Sequence, residues 1–242
     1  MNETSISVLL ATAVSIGFVH TLIGIDHSLP FVVLGRARQW STAKVLGITA
    51  VCGLAHVLSS VVIGAIGIGV GLGLERLEII EGFRGSVASW LIIGFGLAWA
   101  AWAFIRGRRG KHHTHGHVHD DGTIHRHGHD HEREHLHAHE RGVDGRKLGF
   151  TAFWSLFIIF AFGPCEALIP MLMFPAMEHA WSVVALVTLV FGLTTIGTMV
   201  AVVGVAYRGL LTLSLDRFEK YADVFAGLAI ALSGAAIPLL GI

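Results

Sequence analysis

Charge is what this chain has least of. Asp, Glu, Lys and Arg make up 14% of its 242 residues, where a soluble domain carries about 25%, and that shortage excludes an ordinary water-soluble domain. The 17 basic and 17 acidic side chains cancel, so no basic field is on offer to a nucleic acid. Two cysteines, both in apolar stretches, cannot build a disulfide framework. Five prolines are too few for a disordered or collagen-like chain, whereas 30 glycines suit closely packed helices in lipid. What fills the chain is apolar: 53% of residues are hydrophobic, and the mean hydropathy is +0.68. The composition is that of an all-α integral membrane protein.

Six apolar segments approach or exceed the roughly 20 residues needed to span a bilayer. They are residues 4–25, 45–74, 85–105, 148–177, 180–207 and 222–242, the fourth interrupted at Gly163-Pro164-Cys165-Glu166 and by Pro170 and Pro175. Met1-Asn2-Glu3 lacks the basic start of a signal peptide, so the first segment reads as a retained helix. Fifteen of the 17 Lys and Arg follow the first, third or fifth segment, leaving only Arg76 and Arg84 on the other side. The positive-inside rule then predicts a multi-pass protein of the inner or plasma membrane, with both termini outside.

The two halves resemble each other. Asp26-His27-Ser28-Leu29-Pro30 closes the first segment much as Cys165-Glu166-Ala167-Leu168-Ile169-Pro170 interrupts the fourth, and Gly53-Leu54 finds a counterpart in Gly192-Leu193. Three crossings per half give the second copy the opposite topology. The expected plan is therefore two inverted three-helix repeats, residues 1–105 and 148–242, with broken helices one and four meeting near the midplane.

Asp26, just past the first segment, and Glu166, within the fourth, read as the acids at membrane depth, Asp223 standing only at the start of the sixth, and an acid at that depth costs about 2.5–3.5 kcal/mol on insertion scales. His20 and His27 are nearly two turns apart and share a face of a regular helix. Asp26 joins them only where the chain unwinds, as Gly24 and Pro30 permit. His56 lies in the second segment, between Cys52 and Ser59-Ser60. A lone buried His is often a hydrogen-bonding group, and a lone Cys a small packer. The coincidence of His20, Asp26, His27, His56 and Glu166, with Cys165 beside the last, is what points to one metal site. Imidazole, carboxylate and sulfur donors of this kind suit first-row divalent ions.

Between the halves, residues 106–147 hold twelve of the 16 His, many in His-x-His order, along with seven acids. His113, His115, His117 and His119, then His125, His127, His129 and His131, then His135, His137 and His139 form the series. Such a composition builds no core, so a disordered cytoplasmic loop that buffers or senses metal is expected.

His20-Thr21-Leu22-Ile23-Gly24-Ile25-Asp26-His27 resembles the H-x(5)-D-H signature of the nickel/cobalt transporter (NiCoT) superfamily. Together with FGPCEALIP it is most similar to the urease-accessory-type nickel permeases. His56 in GLAHVLSS matches the His of the following helix, and the stretch from Gly192 to Met199 looks like the fifth-helix motif. The resemblance implies a transporter rather than an enzyme. Its substrate would be Ni²⁺ or Co²⁺, with Zn²⁺ the next ion that suits the donors. The His-rich loop is similar to that of the resistance-type exporters, which typically lack the Asp before the second His. The motif therefore favours uptake, with efflux as the alternative.

Protonation of imidazole and carboxylate opposes metal binding, which makes protons a chemically natural coupling ion. Two other functions compete. A transmembrane thiol–disulfide carrier, whose Pro-Cys elements Cys165 and Glu166 resemble, needs two cysteines that meet, and Cys52 and Cys165 do not occupy matching positions. An anion exporter of the sulfite type needs a cationic site, where this interior offers acids and His. Oligomeric state is not legible at this stage.

Overall fold

The computed structural model describes residues 2–108, 113–118, 124–129, 143–163, 165, 167–212 and 221–240. Its membrane part is entirely helical. Helix α1 (Glu3–Ile23) is capped by Asn2, whose side chain accepts from the Ser5 N–H. It ends at Gly24, and a single 3-10 turn, Ile25–His27, leads into α2 (Leu29–Ala37), with Pro30 in that helix's first turn. Pro there is tolerated because the first N–H groups of a helix have no intrahelical acceptor. Ser41 caps α3 (Thr42–Gly69) by accepting from the Lys44 N–H, and α4 runs from Leu74 to Arg108.

The second half contains α5 (Val143–Phe162), α6 (Leu168–Met177), α7 (Trp181–Leu211) and α8 (Ala222–Leu240). Among the described residues, five helices are long and apolar enough to cross a membrane: α1, α3, α4, α7 and α8. The fourth segment, residues 148–177, breaks where expected, after Gly163, into two shorter apolar pieces, Gly149–Phe162 and Leu168–Met177, whereas Pro170 and Pro175 lie within the second piece without interrupting it. The molecule is a membrane-embedded helical protein.

The third span also departs from expectation. It begins eleven residues earlier than Gly85, at Leu74, because Glu81 and Arg84 do not face water. Glu81 is 0% and Arg84 9% exposed. Arg84 is thus not a loop cation, and Glu81 is a further acid inside the helical core.

In the segment expected to be without structure, His113–Val118 (β1) and Ile124–His129 (β2) pair as an antiparallel hairpin. The register sets His113 opposite His129, His115 opposite His127 and His117 opposite His125. A His-x-His repeat has the period of a strand, which a reading from composition alone does not weigh. His119, His131, His135, His137 and His139 lie outside the described residues.

Packing is set by small residues. A Cβ at Gly96 of α4 would land on the Ala231 nitrogen and the Gly227 carbonyl of α8, and one at Gly227 would land on the Ala100 nitrogen. Glycine at these positions brings the two backbones into contact, as is usual where lipid removes the hydrophobic drive between helices. Helix α3 packs on α7 and α5, α1 on α7, α2 on α7 and α8, and α6 on α7 and α3. Two apolar clusters result. One is centred on Phe31, Leu34, Val45, Phe160 and Tyr207, the other on Val57, Leu168, Leu172, Val187 and Phe191.

Candidate metal centre

A cavity of about 430 Å³ lies within the bundle, and His20, Asp26, His27 and His56 are among the residues that line it. Three elements deliver them. His20 comes from the last turn of α1, Asp26 and His27 from the 3-10 turn, and His56 from the middle of α3. The unwinding at Gly24 brings His27 back toward His20. Gly24 takes φ −66° and ψ 94°, and its hydrogen faces the His27 ring so closely that a Cβ would strike Nδ1. Gly163 does the same for His56, where a Cβ would lie 3.1 Å from Nδ1.

The three imidazoles meet edge to face. Ring centroids of His20 and His27 are 4.9 Å apart at 79°, and those of His27 and His56 are 5.1 Å apart at 89°. One donor atom from each ring lies within 4.8 Å of the other two. Phe160 closes one side, 6.4 Å from both His27 and His56, and stacks on Phe31 at 4.7 Å.

The polar bookkeeping of the site is one-sided. His27 Nδ1 lies 3.2 Å from Asp26 Oδ1, and the His56 ring hydrogen-bonds the backbone of Phe160. Yet Nε2 of His20, His27 and His56 are all buried without a partner. An unsatisfied buried polar atom costs about 1–3 kcal/mol, and three such nitrogens on rings that share one cavity make it a suitable place for a ligand. Asp26 supplies the outer contact that metal-binding histidines generally have. With the carboxylate accepting from Nδ1–H, the tautomer is fixed and the Nε2 lone pair is free for an ion.

A metal about 2.1 Å from each nitrogen sets them roughly 3–4 Å apart, so a closure on the order of 1 Å completes the coordination. Three imidazoles with space for water suit nickel, cobalt, copper or zinc better than magnesium or calcium.

Of the two remaining expected donors, only Cys165 is among the described residues. Cys165 is buried but does not line the cavity, and no disulfide joins it to Cys52. Glu166 lies outside the described residues. Sequence reasoning missed the Glu81–Arg84 ion pair. Its signal was an acid and a base three apart before an apolar run, preceded in the chain by Ser59-Ser60, which are partners of that pair. No family model, curated protein or solved structure matches the chain.

Proposed function

We propose that this protein carries a divalent first-row transition-metal ion across the membrane, binding it at the His20–His27–His56 trio. The observation that carries the reading is the convergence of three buried imidazoles, each with an unpartnered Nε2, on one cavity inside a helical membrane bundle. The resemblance of the His20–His27 stretch to nickel/cobalt transporters narrows the substrate to Ni²⁺ or Co²⁺, and Asp26 preceding His27 favours uptake over export.

Inverted repeats make sense of the packing. Pairing α1 with α5, α2 with α6, α3 with α7 and α4 with α8 exchanges the packing partners. Helix α1 rests on α7 as α5 rests on α3, α2 on α7 as α6 on α3, while α3–α7 and α4–α8 map onto themselves. Broken helices one and four then occupy equivalent places, and rocking one half on the other alternates access to the site. With Arg84 withdrawn into the core, Arg76 is the one Lys or Arg left in the segments assigned to the outer side. This strengthens the orientation that places the His-rich segment in the cytoplasm, where its histidines buffer the ion.

The test is ⁶³Ni²⁺ accumulation in cells lacking their own nickel transporters, comparing the wild type with His20→Ala at equal membrane abundance. Higher accumulation with the wild type alone is expected. Lower accumulation, with resistance to added nickel, assigns export. Equal accumulation in both, for Ni²⁺, Co²⁺ and Zn²⁺ alike, sinks the reading.

A further inference from the structure

An acid and a base buried in a membrane helix are costly to place there, and the proposed metal centre uses neither of them. Glu81 and Arg84 lie one turn apart on α4 and form an ion pair. Arg84 Nη1 also donates to Ser60 Oγ at 3.1 Å. Its Nη2 donates to Ser59 Oγ at 2.8 Å and to the carbonyls of Ala161 (3.3 Å) and Gly163 (3.2 Å). Glu81 Oε2 accepts from Ser60 Oγ at 3.0 Å and from the Cys165 backbone N–H at 3.1 Å. One ion pair thus ties together α4, the turn of α3 that follows His56, and the break between α5 and α6.

Its position is as informative as its bonds. Glu81 lies seven residues into α4, about 10 Å from that helix's start, and Ser60 is nine residues from the end of α3, about 14 Å at 1.5 Å per residue. The ties therefore lie between the His trio and the turn that joins α3 to α4. They also adjoin the cavity wall. Gly85, Gly163 and Ala167, each next to or within two residues of a member of the network, line the cavity. Ser59 Oγ in turn donates to the His56 carbonyl at 2.8 Å.

Breaks in membrane helices must have their loose backbone groups satisfied, and a serine alone suffices for the Cys165 N–H. A buried ion pair does something more. It holds three segments together in one geometry and lets go as a unit, because a half-broken pair leaves a bare charge in the core.

We propose that Glu81 and Arg84 are the latch of the cavity's entrance on the side of the α3–α4 turn. They hold the α5–α6 break against α3 and α4, and their release opens the His cavity to that side. The transport reading supplies only the identity of what passes, and the closure is measurable without any metal.

The experiment uses full-length protein carrying Ala167→Cys in sealed membrane vesicles of both orientations. A membrane-impermeant maleimide is added from one side, and the parent chain with its native Cys52 and Cys165 serves as background. With the latch intact, labelling from the α3–α4 turn side is slow. Arg84→Gln raises that rate by about tenfold, within the range typical of coupled sites, and leaves the rate from the other side unchanged. An unchanged rate, or an equal rise from both sides, overturns the latch.

Should Arg84→Gln fail to give a monodisperse protein, the double variant Ser59→Ala/Ser60→Ala keeps both charges and removes only the ties to α3. It is expected to give a smaller rise from the same side, and no rise overturns the proposal equally. Added Ni²⁺ forms a separate arm. If it slows labelling of Ala167→Cys, the metal reading gains support. If it has no effect while Arg84→Gln still opens one side, the metal reading fails and the latch stands.

Discussion

Substituting Gly24 by alanine tests the metal centre without removing a single donor atom. The backbone there, φ −66° and ψ 94°, is open to alanine, so no backbone strain is introduced. The added Cβ is the whole perturbation. It would strike His27 Nδ1, approach His27 Cε1 at 3.0 Å and the His20 carbonyl at 3.1 Å. The backbone carbonyl is fixed by its helix, so the His27 ring is what gives way. It loses its 3.2 Å contact with Asp26 and withdraws Nε2 from the other two imidazoles. Overpacking of this kind costs about 1–3 kcal/mol. Taken entirely from the bound state, that is a loss of roughly 5- to 150-fold in metal affinity. The assay is a Co²⁺ titration of detergent-purified protein, read from its visible d–d bands and by calorimetry. Gly94→Ala is the control, since a Cβ there meets nothing within 4 Å. Wild-type affinity and an unchanged Co²⁺ spectrum in Gly24→Ala would refute the claim that His27 is a ligand held in place by that glycine.

Asp26→Asn keeps the shape of the acceptor but removes its charge, and Ni²⁺ affinity measured by calorimetry should fall about 10- to 100-fold, as for other outer-shell partners. Ni²⁺ at a hundredfold excess over its Kd should stabilise the wild type by about 2.7 kcal/mol, seen as a raised melting temperature in detergent. His56→Ala should lose that shift while retaining the fold. Gly96→Ala places a methyl against the Ala231 nitrogen and the Gly227 carbonyl, both backbone atoms that cannot step aside. Helices α4 and α8 must part, and the melting temperature should drop by the equivalent of about 1–3 kcal/mol with Ni²⁺ affinity largely preserved.

What the sequence made legible is tied to residues whose chemistry is local. The unwinding that Gly24 and Pro30 permit is where α1 ends and the 3-10 turn begins, since both residues act through their own backbone. His20 and His27 meet through that same unwinding, since seven residues of regular helix would set them about 10 Å apart along the axis. His56 joins them from a different helix, and its place in the group depends on α3 being threaded past the break. Its polarity in an apolar helix and the resemblance of GLAHVLSS marked it in advance, but not its distance from the other two. Glu81 and Arg84 escaped for the opposite reason. A hydropathy reading starts a span after the last charge, so a pair that neutralises itself inside the helix moves the apparent boundary to Gly85. The cue was in plain view as a three-residue spacing, but its partners, Ser59, Ser60 and the Gly163 carbonyl, lie 21 to 79 residues away along the chain.

The two breaks, which the proposed inverted repeats would make equivalent, do different work. In the first, the side chains matter: the unwound turn turns His27 and Asp26 toward the cavity. In the second, the described bonds are made by backbone, namely the Ala161 and Gly163 carbonyls and the Cys165 N–H, all gripped by the α4 ion pair and its serine partners. A symmetric carrier with ligands at both breaks would have to move two sets of donors on each cycle. Here the three unpartnered nitrogens all come from the first half, and the latched backbone all comes from the second. On the proposed function, an opening that releases the α5–α6 break would expose an ion at the trio without pulling its ligands apart. That division explains why a costly buried charge pair stands beside the metal centre rather than within it.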